Sequence, residues 1–221
     1  MEQAAPTRCS VTAMTDETPT TPESDAAADA VNPDVHTPRT EAPAHPDRVH
    51  EPSIVMVNTG DGKGKSTAAF GTMLRALERG WKVGVIQFIK SGDWRTGEEA
   101  AGRQLGADLW ALGDGFSWDS ENLDESEALA KAAWEAAREK IQSGEYDVII
   151  LDEVTYPMNW GWIDEAEVVA TLSGRPERTT VICTGRDASD ALIGVAHTVT
   201  EMRNVKHAYD QGILARRGID Y

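Results

Sequence analysis

Several features that would indicate particular functions are missing from this 221-residue sequence. Its two cysteines, Cys9 and Cys183, are too few for a disulfide framework or a cysteine metal cluster. No run of 18 apolar residues is present, so no segment is predicted to span a membrane. The N-terminus lacks a basic stretch followed by an apolar one, which disfavours a secretory signal. Together these absences predict a cytoplasmic protein.

Positive charge is also scarce, with 21 Lys and Arg against 37 Asp and Glu and a formal net charge of −16. Proteins that bind nucleic acid non-specifically use clustered Lys and Arg to neutralise phosphates. This acidic sequence has no stripe rich in Lys and Arg, so we expect no nucleic-acid partner. A small basic pocket for a charged ligand remains compatible with the overall charge.

The first 50 residues contain no Phe, Trp or Tyr, and all 19 glycines of the chain lie at or after Gly60. Eight of the ten prolines fall between Pro6 and Pro52, and nine acidic residues outnumber three basic ones within residues 1–50. Such a segment cannot bury enough apolar surface to offset the entropy lost on ordering. We therefore predict a disordered tail over residues 1–51 and one folded domain over residues 52–221.

From Ser53 onward, short apolar runs alternate with segments of helical periodicity. This alternation indicates βαβ units and a mainly parallel sheet, and the continuous apolar strands indicate a sheet covered on both faces. The predicted strands are Ile54–Asn58, Val83–Ile89, Asp108–Leu112, Tyr146–Leu151, Thr179–Cys183 and His197–Met202. The predicted helices are Thr67–Arg79, Glu98–Leu105, Asp124–Gln142, Asp164–Leu172 and Ala188–Val195. The predicted fold class is a three-layer α/β fold, which the glycine-rich loop described next narrows to the P-loop, RecA-like type.

A glycine-rich segment, TGDGKGKS at residues 59–66, lies directly between the first predicted strand and the first predicted helix. In such a loop the backbone N–H groups converge on phosphate oxygens, and the helix N-terminus adds a positive dipole. A lysine adds a full charge, here Lys65, and a hydroxyl, here Ser66, ligates magnesium. The match to G-x-x-x-x-G-K-[ST] is imperfect because Thr59 replaces the first glycine, and a turn that binds no ligand is the alternative. The predicted nucleotide-binding residues of this segment are Gly60, Asp61, Gly62, Lys63, Gly64, Lys65, Ser66 and Thr67.

A second signal is the apolar strand at Tyr146–Leu151, which is followed at once by Asp152 and Glu153. A carboxylate at a strand end beside a phosphate loop can hold Mg²⁺, or Mn²⁺, directly or through water. Acids that end a strand can also be solvated caps. The combination with the loop favours a metal role for Asp152 or Glu153 and predicts a site for a nucleoside triphosphate.

Arg186 follows the predicted strand Thr179–Cys183 by three residues. The carboxyl end of a strand in an α/β sheet faces the ligand crevice, so we expect Arg186 to bind the nucleotide. A surface salt bridge is the alternative. Trp160 and Trp162 follow the two acids and could touch a ligand, but packing is the favoured interpretation.

Several segments, in order over residues 53–221, make the chain resemble the P-loop-type corrinoid (cob(I)alamin) adenosyltransferases. Thr59 in place of the first glycine is shared with that family. The segments are TGDGKGKSTAAFG (59–71), GVIQFIK (84–90), GFSW (115–118), LDEVTY (151–156), TGR (184–186), VKHAY (205–209) and GIDY (218–221).

The resemblance implies transfer of the 5′-deoxyadenosyl group of ATP to cobalt(I) of a corrinoid, with release of triphosphate, in adenosylcobalamin biosynthesis and corrinoid salvage. Such a reaction suits the residues present, because cobalt(I) is already a potent nucleophile and needs no base. The predicted domain has only His197 and His207 as histidines. The protein would hold C5′ in line with the metal and stabilise the departing triphosphate, with Lys65 as a catalytic residue.

The resemblance further implies a catalytic role for Phe116 and Trp118. In the family, aromatic residues at these positions displace the lower axial ligand of cobalt(II), which makes the metal easier to reduce. From the residues alone, packing of the loop onto the domain is the alternative. The family also implies a homodimer and a transient flavoprotein reductase as electron donor.

Two other classes of function remain open at this point. A different P-loop ATPase or a small-molecule kinase would release ADP and would not respond to corrinoid. A nucleic-acid-dependent motor or a regulatory nucleotide switch would be stimulated by nucleic acid, and the acidic charge counts against it. One departure from the family is the acidic, proline-rich N-terminal segment, where some members carry a basic, helix-forming one.

Overall fold

The computed structural model describes residues 49–90, 96–113, 115 and 123–220. The predictions for the N-terminal tail up to residue 48 and for Phe116 and Trp118 lie outside these residues. Residues Val49–Tyr221 form one compact unit.

The described part of the chain contains a six-stranded sheet in the order β3-β2-β4-β5-β1-β6. Every neighbouring pair of strands is parallel, which confirms the predicted α/β class. The strands are β1 Val55–Thr59, β2 Val83–Gln87, β3 Asp108–Ala111, β4 Val148–Asp152, β5 Thr180–Thr184 and β6 Thr198–Glu201.

Helices connect these strands, and the described residues also include a single 3₁₀ turn at Tyr209–Gln211. None of the helices found in the described segments is long and apolar enough to cross a membrane. The α-helices are α1 Lys65–Glu78, α2 Gly97–Gln104, α3 Leu123–Gln142, α4 Thr155–Asn159, α5 Glu165–Ser173 and α6 Asp190–Val195.

The sheet separates two apolar cores because successive side chains of a strand point to opposite faces. Along β4, Ile149 and Leu151 join a core with α3, α5 and α6, which contribute Trp134, Leu172 and Leu192. The other two apolar residues of β4, Val148 and Ile150, join a second core with Phe70 and Met73 of α1. All four strand residues are fully or almost fully buried. This arrangement confirms the three predicted layers.

Two predictions about the chain after β4 need correction. Asp152 is the last residue of the strand and pairs with Gln87 of β2, whereas the sequence placed it just beyond the strand. The five-residue helix α4 was not predicted, because Pro157 and the β-branched Thr155 have low helix propensity in so short a segment. Helix α4 matters for the site because it begins two residues after Glu153.

The strand order decides which residues meet at the carboxyl edge of the sheet. Strand β5 lies between β1, which leads into the glycine-rich loop, and β4, which ends in the acidic pair. Parallel strands present all their carboxyl ends at the same edge, where α/β proteins bind ligands. The loop, the acids and the turn after β5 are therefore on the same side of the molecule.

Candidate functional site

The glycine-rich loop connects the end of β1 at Thr59 to the start of α1 at Lys65. Gly64 is the N-cap of α1, with φ +116°, and no side chain caps the helix. The first turn also holds no acidic residue. The N–H groups at the start of the helix and the positive end of its dipole are thus free to bind an anion.

Lys65 bends back into the loop and is half-buried. Its Nζ donates to the carbonyl oxygens of Gly60, at 2.8 Å, and Gly62, at 2.7 Å. Burial lowers the pKa of Lys65, and the positive charge of Arg186 lowers it further. Arg186 is exposed, and its positive charge is near enough to Lys65 to act on it.

The segment after β6 lies directly against the loop. The N–H of Gly62 donates to the carbonyl oxygen of Met202 at 2.6 Å. A Cβ atom at Gly60 would lie 2.5 Å from that same oxygen, and one at Gly62 would lie 2.7 Å from the carbonyl of Arg203. Only glycine fits at these two positions, since the clash would be with backbone atoms. The sequence did not indicate this contact.

The other predicted residues of the loop differ in exposure. Lys63 is exposed and forms an ion pair with Asp220 near the end of the chain. Asp61 is exposed, and its charge acts on Lys65. Ser66 is half-buried in the first turn of α1, whereas the neighbouring Thr67 is exposed and lines a groove between α1 and α2.

Asp152 is fully buried, and both of its carboxylate oxygens accept hydrogen bonds. Oδ1 accepts from the hydroxyl of Thr184 at 2.8 Å, and Oδ2 accepts from Gln87 Nε2 at 3.1 Å and Lys90 Nζ at 3.3 Å. Burial lowers the pKa of Lys90, but the charges of Asp152 and Glu153 raise it by more, so the lysine stays protonated. Asp152 thus sits at the centre of a network that spans β2, β4 and β5.

Glu153 has an unusual backbone and an unusual carboxyl group. Its φ is +66°, and its N–H donates to Thr184 Oγ1 at 2.9 Å. Its Oε2 atom is buried and has no hydrogen-bond partner among the described residues. Burial and the neighbouring Asp152 raise the pKa of Glu153 from 4.5 to about 7. A buried oxygen of this kind is suited to a cation that arrives with a ligand.

The residues present fit a magnesium ion of the kind that accompanies a nucleotide. No group of three or more His, Cys, Asp and Glu side chains that could hold a metal is found in the described part of the chain. Mg²⁺ does not need such a cage, since it commonly binds one or two protein oxygens together with phosphates and water. Glu153 Oε2 lacks a partner, whereas both oxygens of Asp152 are engaged, so Glu153 is better placed for direct ligation.

Arg186 lies in a tight turn that helix α4 holds from one side. Gly185 has φ +141°, and a Cβ atom there would lie 1.9 Å from Thr155 Oγ1. At the other end of α4, Asn159 Nδ2 donates to the carbonyl oxygens of Arg186, at 3.3 Å, and Asp187, at 3.1 Å. Helix α4 thus links the turn that carries Arg186 to the acidic end of β4. Neither Thr155 nor Asn159 was identified from the sequence.

Three aromatic rings form a cluster that begins on α4 and continues into the turn after it. The ring centroids of Tyr156 and Trp160 are 5.9 Å apart, and those of Trp160 and Trp162 are 4.6 Å apart. Trp160 is 40% exposed, so the cluster is not wholly a packing feature. His207 accepts a hydrogen bond at Nδ1 from the N–H of Tyr209 and closes a turn.

A strand, a glycine-rich loop that encloses its own lysine and an uncapped helix N-terminus form the arrangement with which phosphate-loop α/β proteins hold nucleotides. The fold and the loop place the chain in that class. Residues 51–221 match the family described as "ATP:corrinoid adenosyltransferase BtuR/CobO/CobP". The chain belongs to this family, which makes it a transferase and confirms the resemblance seen in the sequence.

Relatives in several bacteria support this assignment. The chain is 43% identical over 171 residues to the "Corrinoid adenosyltransferase" of Escherichia coli K12, a match that covers 77% of this chain and 87% of the relative. It is 41% identical, with the same coverage, to "Corrinoid adenosyltransferase CobA" of Salmonella typhimurium. The "Corrinoid adenosyltransferase" of Pseudomonas aeruginosa is 39% identical, with 77% of this chain and 85% of the relative covered.

Proposed function

We propose that this protein transfers the 5′-deoxyadenosyl group of ATP to cobalt(I) of a corrinoid and releases triphosphate. The observation that carries the proposal is the match of residues 51–221 to the corrinoid adenosyltransferase family, together with the loop that encloses Lys65. A different P-loop ATPase or kinase is not favoured, because the whole folded part matches this family.

The loop is suited to bind the triphosphate part of ATP. Lys65 can exchange its bonds to the loop carbonyls for bonds to phosphate oxygens, and the free N–H groups at the start of α1 point toward the same anion. Arg186 adds a second cation that acts on this region. When the bond from C5′ to oxygen breaks, these groups stabilise the charge that develops on the departing triphosphate.

We propose Ser66 and Glu153 as the residues that would hold Mg²⁺ or Mn²⁺, with Asp152 acting directly or through water. The ion supplies neutralisation of phosphate charge when it is bound. Asp152 also keeps Lys90 charged and holds Thr184, which in turn accepts the N–H of Glu153. Asp152 thereby fixes the backbone that presents the Glu153 carboxylate.

No side chain is required to deprotonate the nucleophile, since cobalt(I) attacks carbon directly. The protein's task is to align C5′ with the metal and to exclude competing nucleophiles, a positioning effect that can account for a large part of a rate enhancement. We propose that Phe116 and Trp118 assist before this step, by displacing the lower axial ligand of cobalt(II) and so favouring its reduction.

The direct test is product analysis with ATP, Mg²⁺ and chemically reduced cobalamin. We expect inorganic triphosphate and a new cobalt–carbon bond in equal amounts. ADP as product, or a rate that does not depend on the corrinoid, would indicate another P-loop enzyme instead. Omission of Mg²⁺, and its replacement by Mn²⁺, should show whether the metal is required and which ions serve.

A second experiment isolates Phe116 and Trp118. Replacement of both with Ala should slow turnover from cobalt(II) and a mild reductase much more than turnover from preformed cobalt(I). A fall of about 60 mV in a one-electron potential changes the reduction equilibrium tenfold, so even partial loss of ligand displacement is measurable. Equal slowing from both cobalt states would assign the rings to positioning in the transfer step, and no slowing would assign them to packing.

The remaining partners follow from the family. We propose a homodimer in the cytoplasm that receives electrons transiently from a flavoprotein reductase and has no nucleic-acid or membrane partner. Light scattering would measure the oligomeric state. Activity with a purified flavoprotein and cobalt(II) corrinoid, without chemical reductant, would test the electron donor.

A further inference from the structure

A short C-terminal turn provides the carboxylate that pairs with the phosphate loop. The N–H groups of Ile219 and Asp220 donate to the carbonyl oxygen of Arg216, at 3.1 Å and 2.8 Å. One oxygen of Asp220, Oδ2, accepts from the N–H of Arg216 at 2.7 Å, and the other pairs with Nζ of Lys63. The Arg216 N–H and the charge of Lys63 both hold the pKa of Asp220 below its usual range. Asp220 is therefore an ionised, oriented acceptor.

The segment from Met202 to Asp220 contacts the region around the glycine-rich loop at both ends of the segment. Next to β6, Met202 accepts the N–H of Gly62. Near the chain end, Gly218 and Ile219 line a groove of about 430 Å³ whose other walls come from α1 and α2. The segment thus spans the loop, and Asp220 meets Lys63 as a consequence of these two attachments.

The ion pair with Asp220 engages the ammonium group of Lys63. Lys65 is bound to carbonyl oxygens of its own loop, but Lys63 is bound to a carboxylate that belongs to another segment. Both side chains of the pair are partly exposed, at 51% for Lys63 and 26% for Asp220. A bound polyphosphate carries more charge than one carboxylate, so it can displace Asp220 from Lys63.

We propose that Asp220 competes with triphosphate for the ammonium group of Lys63 and so weakens the binding of the released product. The inference rests on the proposed function only in taking triphosphate as the product. Once the ester to adenosine is broken, triphosphate has gained an ionisable oxygen and binds the loop lysines more strongly than the triphosphate part of ATP. A carboxylate that recaptures Lys63 opposes that gain. Asp220 is thus a positioning residue that acts through Lys63.

Titration calorimetry with inorganic triphosphate and Mg²⁺, without corrinoid, tests this exchange. Asp220→Asn should bind triphosphate about two- to fivefold more tightly than the wild type, as expected for the loss of one partly exposed ion pair. The gain should shrink at high salt, because exposed charges are screened. In a Lys63→Met background, the Asp220→Asn change should have no effect on the affinity.

Asp210→Asn is the matched control, since Asp210 is exposed on the same segment and forms no ion pair within the described residues. We expect unchanged affinity for that variant, and unchanged melting temperatures for all of these variants. An equal gain in the Lys63→Met background would overturn the proposal in favour of simple repulsion between Asp220 and triphosphate. Weaker or unaltered binding by Asp220→Asn would overturn the proposal and exclude such repulsion as well. A tighter-binding variant in a protein that makes no cobalt–carbon bond would refute the proposed function and leave the exchange intact.

Discussion

The two halves of the candidate site are built in different ways. The loop between β1 and α1 is made largely of backbone, with glycines that allow the close approach of Met202 and Arg203. The half formed by the ends of β4 and β5 is made of buried side chains, in which Asp152 is bonded to Gln87, Lys90 and Thr184. A backbone site depends on local sequence, whereas a side-chain network depends on which strands are neighbours.

The largest expected effect is the loss of activity when the lysine of the loop half is replaced. Lys65→Ala removes a charge beside the departing triphosphate and should lower kcat/KM about 10²-fold or more. This loss corresponds to an increase of about 3 kcal/mol in the activation free energy. Turnover with reduced cobalamin measures the effect, and Lys131→Ala on α3 is a control that should leave the rate unchanged. A Lys65→Ala rate within about threefold of wild type would mean that the loop does not bind triphosphate as described.

A single added methyl group should also disturb the half formed by the ends of β4 and β5. Gly185→Ala places a Cβ atom against Thr155 Oγ1 in a left-handed backbone and should lower the free energy of unfolding by about 2–4 kcal/mol. Urea denaturation measures the change. Gly194→Ala in α6 is the matched control, because no atom lies within 4 Å of its added carbon. Equal stability of the two variants would show that Thr155 does not hold the turn.

Removal of the Glu153 carboxylate should alter the metal requirement. Glu153→Gln keeps the shape of the side chain but replaces a charged oxygen with a neutral amide, so the Mg²⁺ concentration for half-maximal activity should rise about tenfold or more. Glu177→Gln, on an exposed residue before β5, should leave the metal titration unchanged. The same midpoint for wild type and Glu153→Gln would transfer the ligand role to Asp152.

The same substitution should stabilise the metal-free protein at alkaline pH. Because folding raises the pKa of Glu153 to about 7, the folded state is favoured when this group is protonated. The contribution of Glu153 to the stability of the folded state is complete below about pH 4.5 and is lost as the pH rises to about 7. In EDTA, the free energy of unfolding of Glu153→Gln should thus equal that of the wild type near pH 4.5. At pH 8 it should be higher than that of the wild type by on the order of 2 kcal/mol. A difference that does not vary with pH would contradict the buried state of this carboxyl group.

The smallest effect is expected from the N-terminal segment that the sequence predicts to be disordered. Deletion of residues 1–35 should leave the melting temperature within a few degrees of the full chain, because this segment has no aromatic residue and no periodic apolar face. Calorimetry of the two chains is the measurement. A larger drop would mean that the tail packs on the domain, contrary to the predicted disorder.

The contrast between the halves also explains what the sequence could predict. The loop residues 59–66 lie together in the chain, and strands such as β2 and β4 have continuous buried patterns, so the α/β class and the loop were predictable. The bonds from Asp152 to Gln87 and Thr184 join residues 65 and 32 positions apart, and no local pattern encodes them. They exist because β4 lies between β2 and β5.

Contacts made by the C-terminal segment were unpredictable for the same reason. Lys63 and Asp220 are separated by 157 positions, and the segment between β6 and Asp220 contains little regular structure. The family resemblance identified residues 218–221 as a shared segment but gave them no physical role. Helix α4 was missed because a five-residue helix with a proline lacks the periodicity on which prediction depends.

The left-handed backbone at Glu153 has a consequence for protein engineering. A non-glycine residue with φ +66° carries strain of about 1–3 kcal/mol, and the same residue also bears a buried carboxyl group. Glycine or asparagine would relieve both costs at once. A selection for thermal stability alone would therefore enrich replacements at position 153. The selected variants would be more stable but would lack a residue proposed to hold the metal.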